Sequence, residues 1–233
     1  MSKILWKANS ETKLNSNLYG FEKFISKKFN KKFNKKYEKI LNWSIKKSDD
    51  FWSSVWDFCK VKGIKSKNKM KKSKIFYKNI FLPNSSLNFA QNLLSKKTPS
   101  KAITFLSENG FREERSWNDL HNNVSKLQVF FNKIKLSNGN RVAAYTINSI
   151  ETVEAFLATA SIGAVWSSCS PDFGVKGVIE RFAQIKPKVL FVTDRYYYNG
   201  KEINILERVP EILKKIKSIK YLIIINYPGK NLL

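Results

Sequence analysis

Between residues 148 and 201 the chain alternates between two periods of hydrophobicity. Val153, Phe156, Leu157 and Ala160 recur at the spacing of one helix face, and Gly163 follows where a left-handed stop costs little. A helix is therefore predicted to end there, with Asn148 and Glu151 available to cap its start. Residues 164–166 are short, apolar and β-prone, as a strand buried in a parallel sheet is, whereas residues 167–172 are polar or turn-forming. The pattern predicts a strand opening into a polar loop. Val175, Val178, Ile179 and Phe182 mark a second helix, capped by Asp172 or Ser170 and closed by Pro187. Residues 189–192 form the next strand, followed by a polar loop over 193–201. In an open parallel sheet ligands sit beyond the carboxyl ends of the strands, so these two loops are where chemistry is expected.

The flanking sequence extends the same alternation. Residues 102–106 and 111–117 read as strands around Glu108-Asn109-Gly110, and Asn-Gly between apolar runs is a strong hairpin signal. Ser116 with Asp119 resembles a capping box for a helix whose apolar face is Leu120, Val124, Leu127, Phe131 and Ile134. A strand over 141–147, a helix over 203–219 and a strand over 221–225 complete an α/β pattern with a parallel sheet. Upstream, residues 1–47 are short apolar anchors between lysine runs, read as helical surface segments. Residues 49–59 form a better helix, with Ser48 as cap and a wide apolar surface from Phe51, Trp52, Val55, Trp56 and Phe58. Nine lysines between residues 60 and 78 mark a solvated loop or linker.

Composition narrows the function classes. The chain of 233 residues is 42% hydrophobic and 14% aromatic, a globular balance with ample material for a core. No apolar run reaches the roughly 18 residues of a membrane span, and Lys7, Glu11 and Lys13 interrupt any signal-peptide core, so a cytoplasmic protein without a membrane partner is expected. The net charge of +25 would ordinarily point to nucleic acid. The excess is mostly lysine, however, and travels with abundant Asn, Ile and Phe, as coding bias produces. Arginine, the residue of bidentate phosphate and base readout, is scarce. Coding bias is therefore preferred, and a basic RNA-binding protein is kept as the alternative.

Most single candidates have ordinary explanations. His121 stands alone on the polar side of a helix, and Cys59 and Cys169 have neither disulfide nor metal-site spacing. Ser167 and Ser168 lack the Gly-x-Ser-x-Gly surroundings of a nucleophile, and Cys169 reads as a buried structural thiol. Gly174-Val175-Lys176-Gly177 matches the Gly-x-x-Gly loop of an RNA-binding fold only superficially, because a strand and turn precede it. Glycine-rich phosphate loops are absent. The segment Asp194-Arg195-Tyr196-Tyr197-Tyr198-Asn199-Gly200-Lys201 combines two cations, aromatic rings and a glycine at a strand end. That set suits a nucleotide-like polyanion, and equally a solvated loop whose tyrosines pack on the sheet.

One run carries a family resemblance: Gly163-Ala164-Val165-Trp166-Ser167-Ser168-Cys169-Ser170-Pro171-Asp172-Phe173-Gly174, continuing through Arg181-Phe182, Lys186-Pro187-Lys188-Val189-Leu190-Phe191 and Tyr198-Asn199-Gly200-Lys201. With Leu5-Trp6, Trp43, Phe51-Trp52, Trp56-Asp57-Phe58-Cys59 and Leu87-Asn88-Phe89-Ala90-Gln91-Asn92-Leu93-Leu94, it resembles the amino-terminal part of the acetoacetyl-CoA synthetases (acetoacetate-CoA ligases), in the adenylate-forming superfamily. Acetyl- or other short-chain acyl-CoA synthetases are the nearer alternative. The resemblance implies an amino-terminal helical region over 1–95 and an incomplete AMP-dependent synthetase/ligase domain over 96–233.

It also implies a ligase that activates acetoacetate or another short acid with ATP and Mg2+ to an acyl adenylate, then passes the acyl group to coenzyme A. The family's phosphate loop, adenine motif and distal lysine lie downstream, so no catalytic or metal residue is assigned here. Residues 221–225 are apolar on both faces with eight residues after them, read as a fragment expected to have no ligase activity alone. In related acetyl-CoA synthetases an Arg-x-Gly-Arg segment meets the coenzyme A phosphates. Tyr198, Asn199, Gly200 and Lys201 match it by position, with Tyr198 in place of the first arginine and Lys201 of the second, and Arg195 is assigned as the compensating cation.

Overall fold

The computed structural model describes residues 4–68 and 70–227, which divide into two compact units between Leu87 and Asn88. The first unit is helical. It runs α1 (Ser10–Leu14), α2 (Asn17–Phe29), α3 (Tyr37–Lys46) and α4 (Ser48–Phe58), then a short antiparallel pair of β1 (Gly63–Ile64) and β2 (Ser86–Leu87). Ser16 caps α2 by accepting from Tyr19 N at 3.2 Å, and Asn30, in the left-handed region at φ 48°, ends it. Phe21 and Ile25 lie one turn apart on α2 and are buried with Phe33, Ile40 and Trp43. Rings of Phe29, Phe33 and Phe51 surround Trp43 at centroid distances of 5.2, 5.5 and 6.0 Å. The lysine-rich stretch is largely irregular, with an isolated bridge between Lys71 and Ile80. Ser48 does not cap α4. It is already helical, and Asp49 and Asp50 in the first turn instead place negative charge against the helix dipole.

The second unit begins with α5 (Phe89–Leu93) and the hairpin of β3 (Lys101–Leu106) and β4 (Arg112–Ser116), turning at Asn109-Gly110 as expected. There follow α6 (Trp117–Lys133), β5 (Arg141–Tyr145), α7 (Ile150–Ser161), β6 (Val165–Cys169), α8 (Val175–Ile185) and β7 (Val189–Thr193). The chain continues with β8 (Arg195–Tyr198), β9 (Lys201–Asn204), a 3-10 turn (Leu206–Arg208), α9 (Val209–Lys215) and β10 (Tyr221–Ile225). Four strands form a parallel sheet in the order β10-β7-β5-β6. Alternation along each inner strand supplies two cores. Val142, Ala144, Val189 and Phe191 face α6 and α7. Ala143, Tyr145, Leu190 and Val192 face α8 and α9. Every residue of β7 is buried, which is why its sequence is a continuous apolar run.

The structure corrects several local expectations. β6 does not end at Trp166 but runs to Cys169. It lies at the end of the described sheet with β5 as its one neighbour, so Ser168 is exposed and Ser167 only half-buried, and neither hydroxyl carries a full burial cost. Ser149, not Asn148, caps α7 by accepting from Thr152 N at 3.3 Å. Gly174 stands at the N-cap of α8, while Ser170 and Asp172 bond to each other at 2.8 Å. The predicted helix over 203–219 is shortened, because β9 occupies its start and Pro210, which fits only a first turn, sets the beginning of α9.

Candidate functional site

A cleft of about 340 Å³ opens at the carboxyl ends of β5 and β6. Its position follows from topology. The chain leaves β5 for α7 on one face of the sheet and leaves β6 for α8 on the other, so the two connections diverge and a crevice remains between them. Thr146, Asn148, Ser168, Ser170, Asp172 and Tyr198 are among its lining residues. Thr146 is only 5% exposed, and its Oγ1 is buried with no hydrogen-bond partner among the described residues. Such a hydroxyl is costly unless something else meets it.

The expected polar loop over 193–201 is instead a hairpin. β8 and β9 pair with Tyr196 opposite Ile203 and Tyr198 opposite Lys201. Asn199 at φ 50° and Gly200 at φ 73° make the turn, both left-handed as a two-residue hairpin of matching twist requires. Tyr198 is 65% exposed, and Lys201 is exposed at the tip. The Gly200 N–H donates to Glu108 Oε1 at 2.5 Å, so a carboxylate occupies the one direction in which the turn amide can hold an anion. Arg195 points elsewhere. Its Nε and Nη2 donate to Asp194 Oδ2 at 2.9 and 2.8 Å, and its Nη1 to Glu202 Oε1 at 3.0 Å. These carboxylates, Asp194 first, raise the guanidinium's pKa. The hairpin brings Tyr198, Asn199, Gly200 and Lys201 together, with Arg195 fastened beneath them.

Two residues that hold the cleft wall escaped the sequence reading, Tyr145 and Arg208. Tyr145 is fully buried at the end of β5, and its hydroxyl lies 3.0 Å from Pro171 O and 2.5 Å from Phe173 O. Burial raises its pKa, and Arg208 works against that shift. Arg208 Nη1 donates to the Tyr145 hydroxyl at 2.7 Å and to Pro171 O at 3.0 Å, with Phe173 O at 3.4 Å. No local motif marks either residue, because their partners are backbone carbonyls far away in sequence. Tyr196 lines the cleft with Asp172, and burial foremost, then that carboxylate, raises its pKa. Cys169 lines the floor, its thiol pushed up to about 11 by burial.

A doubly wound sheet with a hydroxyl-rich crevice at its strand ends is an α/β architecture suited to nucleotide-like ligands. The chain belongs to the family described as AMP-binding enzyme, whose sequence model matches residues 94–231. It is 40% identical over 175 residues to an acetoacetyl-coenzyme A synthetase of Rhizobium meliloti (strain 1021), covering 75% of this chain and 27% of that protein. To the acetoacetyl-CoA synthetase of Danio rerio it is 32% identical over 230 residues, covering 97% of this chain and 34% of that one. The solved acetoacetyl-CoA synthetase from Streptomyces lividans superposes with a TM-score of 0.91 at 26% identity, covering 100% of this chain and 36% of that one. The chain thus spans about a third of the length of these relatives.

Proposed function

We propose that this chain is the amino-terminal portion of an acetoacetate-CoA ligase and that its β8–β9 hairpin, with the adjoining cleft, meets coenzyme A. In that reaction ATP supplies the adenylyl group that activates the acid, and coenzyme A supplies the accepting thiol. The observation that carries the reading is the hairpin tip: an exposed Lys201, an exposed Tyr198 ring and a Gly200 amide already donating to a carboxylate. A phosphate oxygen can take the place of that carboxylate, the ring offers a stacking face, and Lys201 gives a charge. Asn199 sets the turn. Arg195, engaged by Asp194 and Glu202, takes part by bracing β8 against β9 and sharing its outer donors. Thr146 and Ser168 offer further hydroxyls in the cleft, while Ser170 donates to Asp172, and the remaining donors fit a polyanionic ligand. For Mg2+ the fit is different: no group of three metal-ligating side chains stands together among the described residues, and no step is routed through it on this chain. We take the acid to be acetoacetate and the setting to be the cytoplasm. No described helix is long and apolar enough to cross a membrane.

Calorimetric titration of coenzyme A against this chain tests the site. The parent is expected to bind. Lys201→Glu is expected to weaken binding at least tenfold, since one charged hydrogen bond contributes about 1.5 to 3 kcal/mol. An affinity unchanged by that reversal would sink the assignment. Acetoacetate-dependent release of AMP by the intact gene product tests the ligase reading.

A further inference from the structure

We propose that Arg208 and Tyr145 are positioning residues that clamp the segment over residues 170–174 against the sheet and so fix the width of the coenzyme A cleft. The inference rests on the coenzyme A reading for its ligand and on geometry alone for the clamp. The segment forms one wall of the cleft through Ser170, Pro171 and Asp172, and the hairpin supplies another through Tyr196, Tyr197 and Tyr198. Buried Pro171 and half-buried Phe173, the latter packed on the second core, seat this segment, and the bonds to its carbonyls fix how far it stands from the hairpin. Those bonds come from two side chains. The Tyr145 hydroxyl, rooted in the fully buried end of β5, reaches Pro171 O and Phe173 O. Arg208 Nη1 meets the same two carbonyls and the hydroxyl.

The origin of Arg208 gives the arrangement its consequence. It lies four residues beyond β9, after Ile205, which is fully buried in the core and whose N–H donates to Asp194 O at 2.9 Å. Asp194 in turn holds Arg195 of β8. The wall after β6 and the hairpin carrying Lys201 are thereby fastened to one another through a few residues. The Arg208 guanidinium answers carbonyl oxygens and a phenol, and Asp172 of the same wall acts on Tyr145 and Tyr196 alongside it.

Cys169 reports on the clamp directly, because it is buried immediately before the clamped segment while Cys59 is exposed. Alkylation of the purified chain with iodoacetamide, followed peptide by peptide by mass spectrometry, gives both rates in one sample. In Arg208→Met and Tyr145→Phe, Cys169 is expected to react at least tenfold faster with the Cys59 rate unchanged, and Arg208→Lys is expected to recover part of the protection. Coenzyme A affinity is expected to fall about tenfold in the same variants. Combining Arg208→Met with Lys201→Ala should cost less than the two single losses together, because a displaced wall no longer presents the ligand to the hairpin. Should Arg208→Met unfold the chain, Tyr145→Phe, which removes a single oxygen, decides the matter. Unchanged Cys169 rates in Tyr145→Phe and Arg208→Lys, or additive losses with Lys201→Ala, would overturn the clamp. Faster Cys169 alkylation in a chain that binds no coenzyme A would uphold the clamp and remove the coenzyme A reading.

Discussion

At the scale of single residues, the site is built by burial acting on groups that water would otherwise stabilise. Cys169 is the plainest case. At 8% exposure its thiolate loses hydration, and its pKa rises to about 11 from a reference value of 9.0, with Arg181 only partly offsetting the shift. A folded-state pKa above the unfolded one means that folding favours the neutral thiol. The stability this contributes is present below about pH 9 and is lost as pH climbs through about 11. Two consequences can be measured. Cys169 alkylation in the folded chain is expected to rise about tenfold per pH unit between pH 8 and 10, following the thiolate. Urea midpoints of a Cys169→Ser variant should lack the part of the decline above pH 9 that this thiol causes in the parent. A Cys169 rate independent of pH would show that opening of the wall, rather than ionisation, limits the reaction.

At the scale of elements, the β8–β9 hairpin decides what the site can present. Its turn needs two consecutive left-handed residues, and a side chain branched at Cβ pays about 1–2 kcal/mol there. Gly200→Val is therefore expected to loosen the hairpin, seen as faster hydrogen exchange at Tyr196 and Ile203, and to weaken coenzyme A binding without removing a charge. Exchange rates equal to the parent's would mean that flanking contacts, not the turn, hold the strands. The same element measures how much was legible in the sequence. Helix faces such as Leu120, Val124 and Phe131 were readable because one-sided burial imposes a period on them, and strands β7 and β10 because they are continuous apolar runs. The hairpin was missed although Asn199-Gly200 is the same signal read correctly at Asn109-Gly110. The flanking Arg195-Tyr196-Tyr197-Tyr198 is polar or aromatic instead of alternating, with only Tyr196 fully inward. The Ser116 cap of α6 was read correctly, whereas that of α7 was off by one residue and that of α8 by two or four, because Ser, Asn and Asp cluster near these starts and only the backbone angle selects the cap. The Arg208 and Tyr145 contacts were illegible for a different reason: their partners are carbonyls, which carry no residue identity.

At the scale of the whole molecule, the charge of +25 has to be reconciled with a small-molecule site. The arginines settle where the charge is not. Arg112 pairs with Glu114, Arg115 with Glu113, Glu151 and Glu154, and Arg195 with Asp194 and Glu202. Arg141 donates to the carbonyls of Gly139, Ile185 and Lys186, and Arg181 lies 4.1 Å from the Phe173 ring centroid. Arg208 is spent on the cleft wall. Every arginine thus works inside the fold, and the excess resides in lysines, which hold water tightly and bind phosphates as diffuse point charges. A surface of that kind attracts polyanions in proportion to the counterions released, whereas a built site depends on a few fixed donors. Salt separates the two. Between 50 and 200 mM salt, association with an RNA oligomer making 6 to 10 phosphate contacts is expected to weaken by about 10³ or more, and coenzyme A binding by about tenfold at most. Lys201→Glu should abolish most of the second and little of the first. If coenzyme A binding instead collapses with salt as steeply as RNA binding and ignores Lys201, the ligand is held by the lysine surface at large, and the cleft at the strand ends loses its claim to be the site.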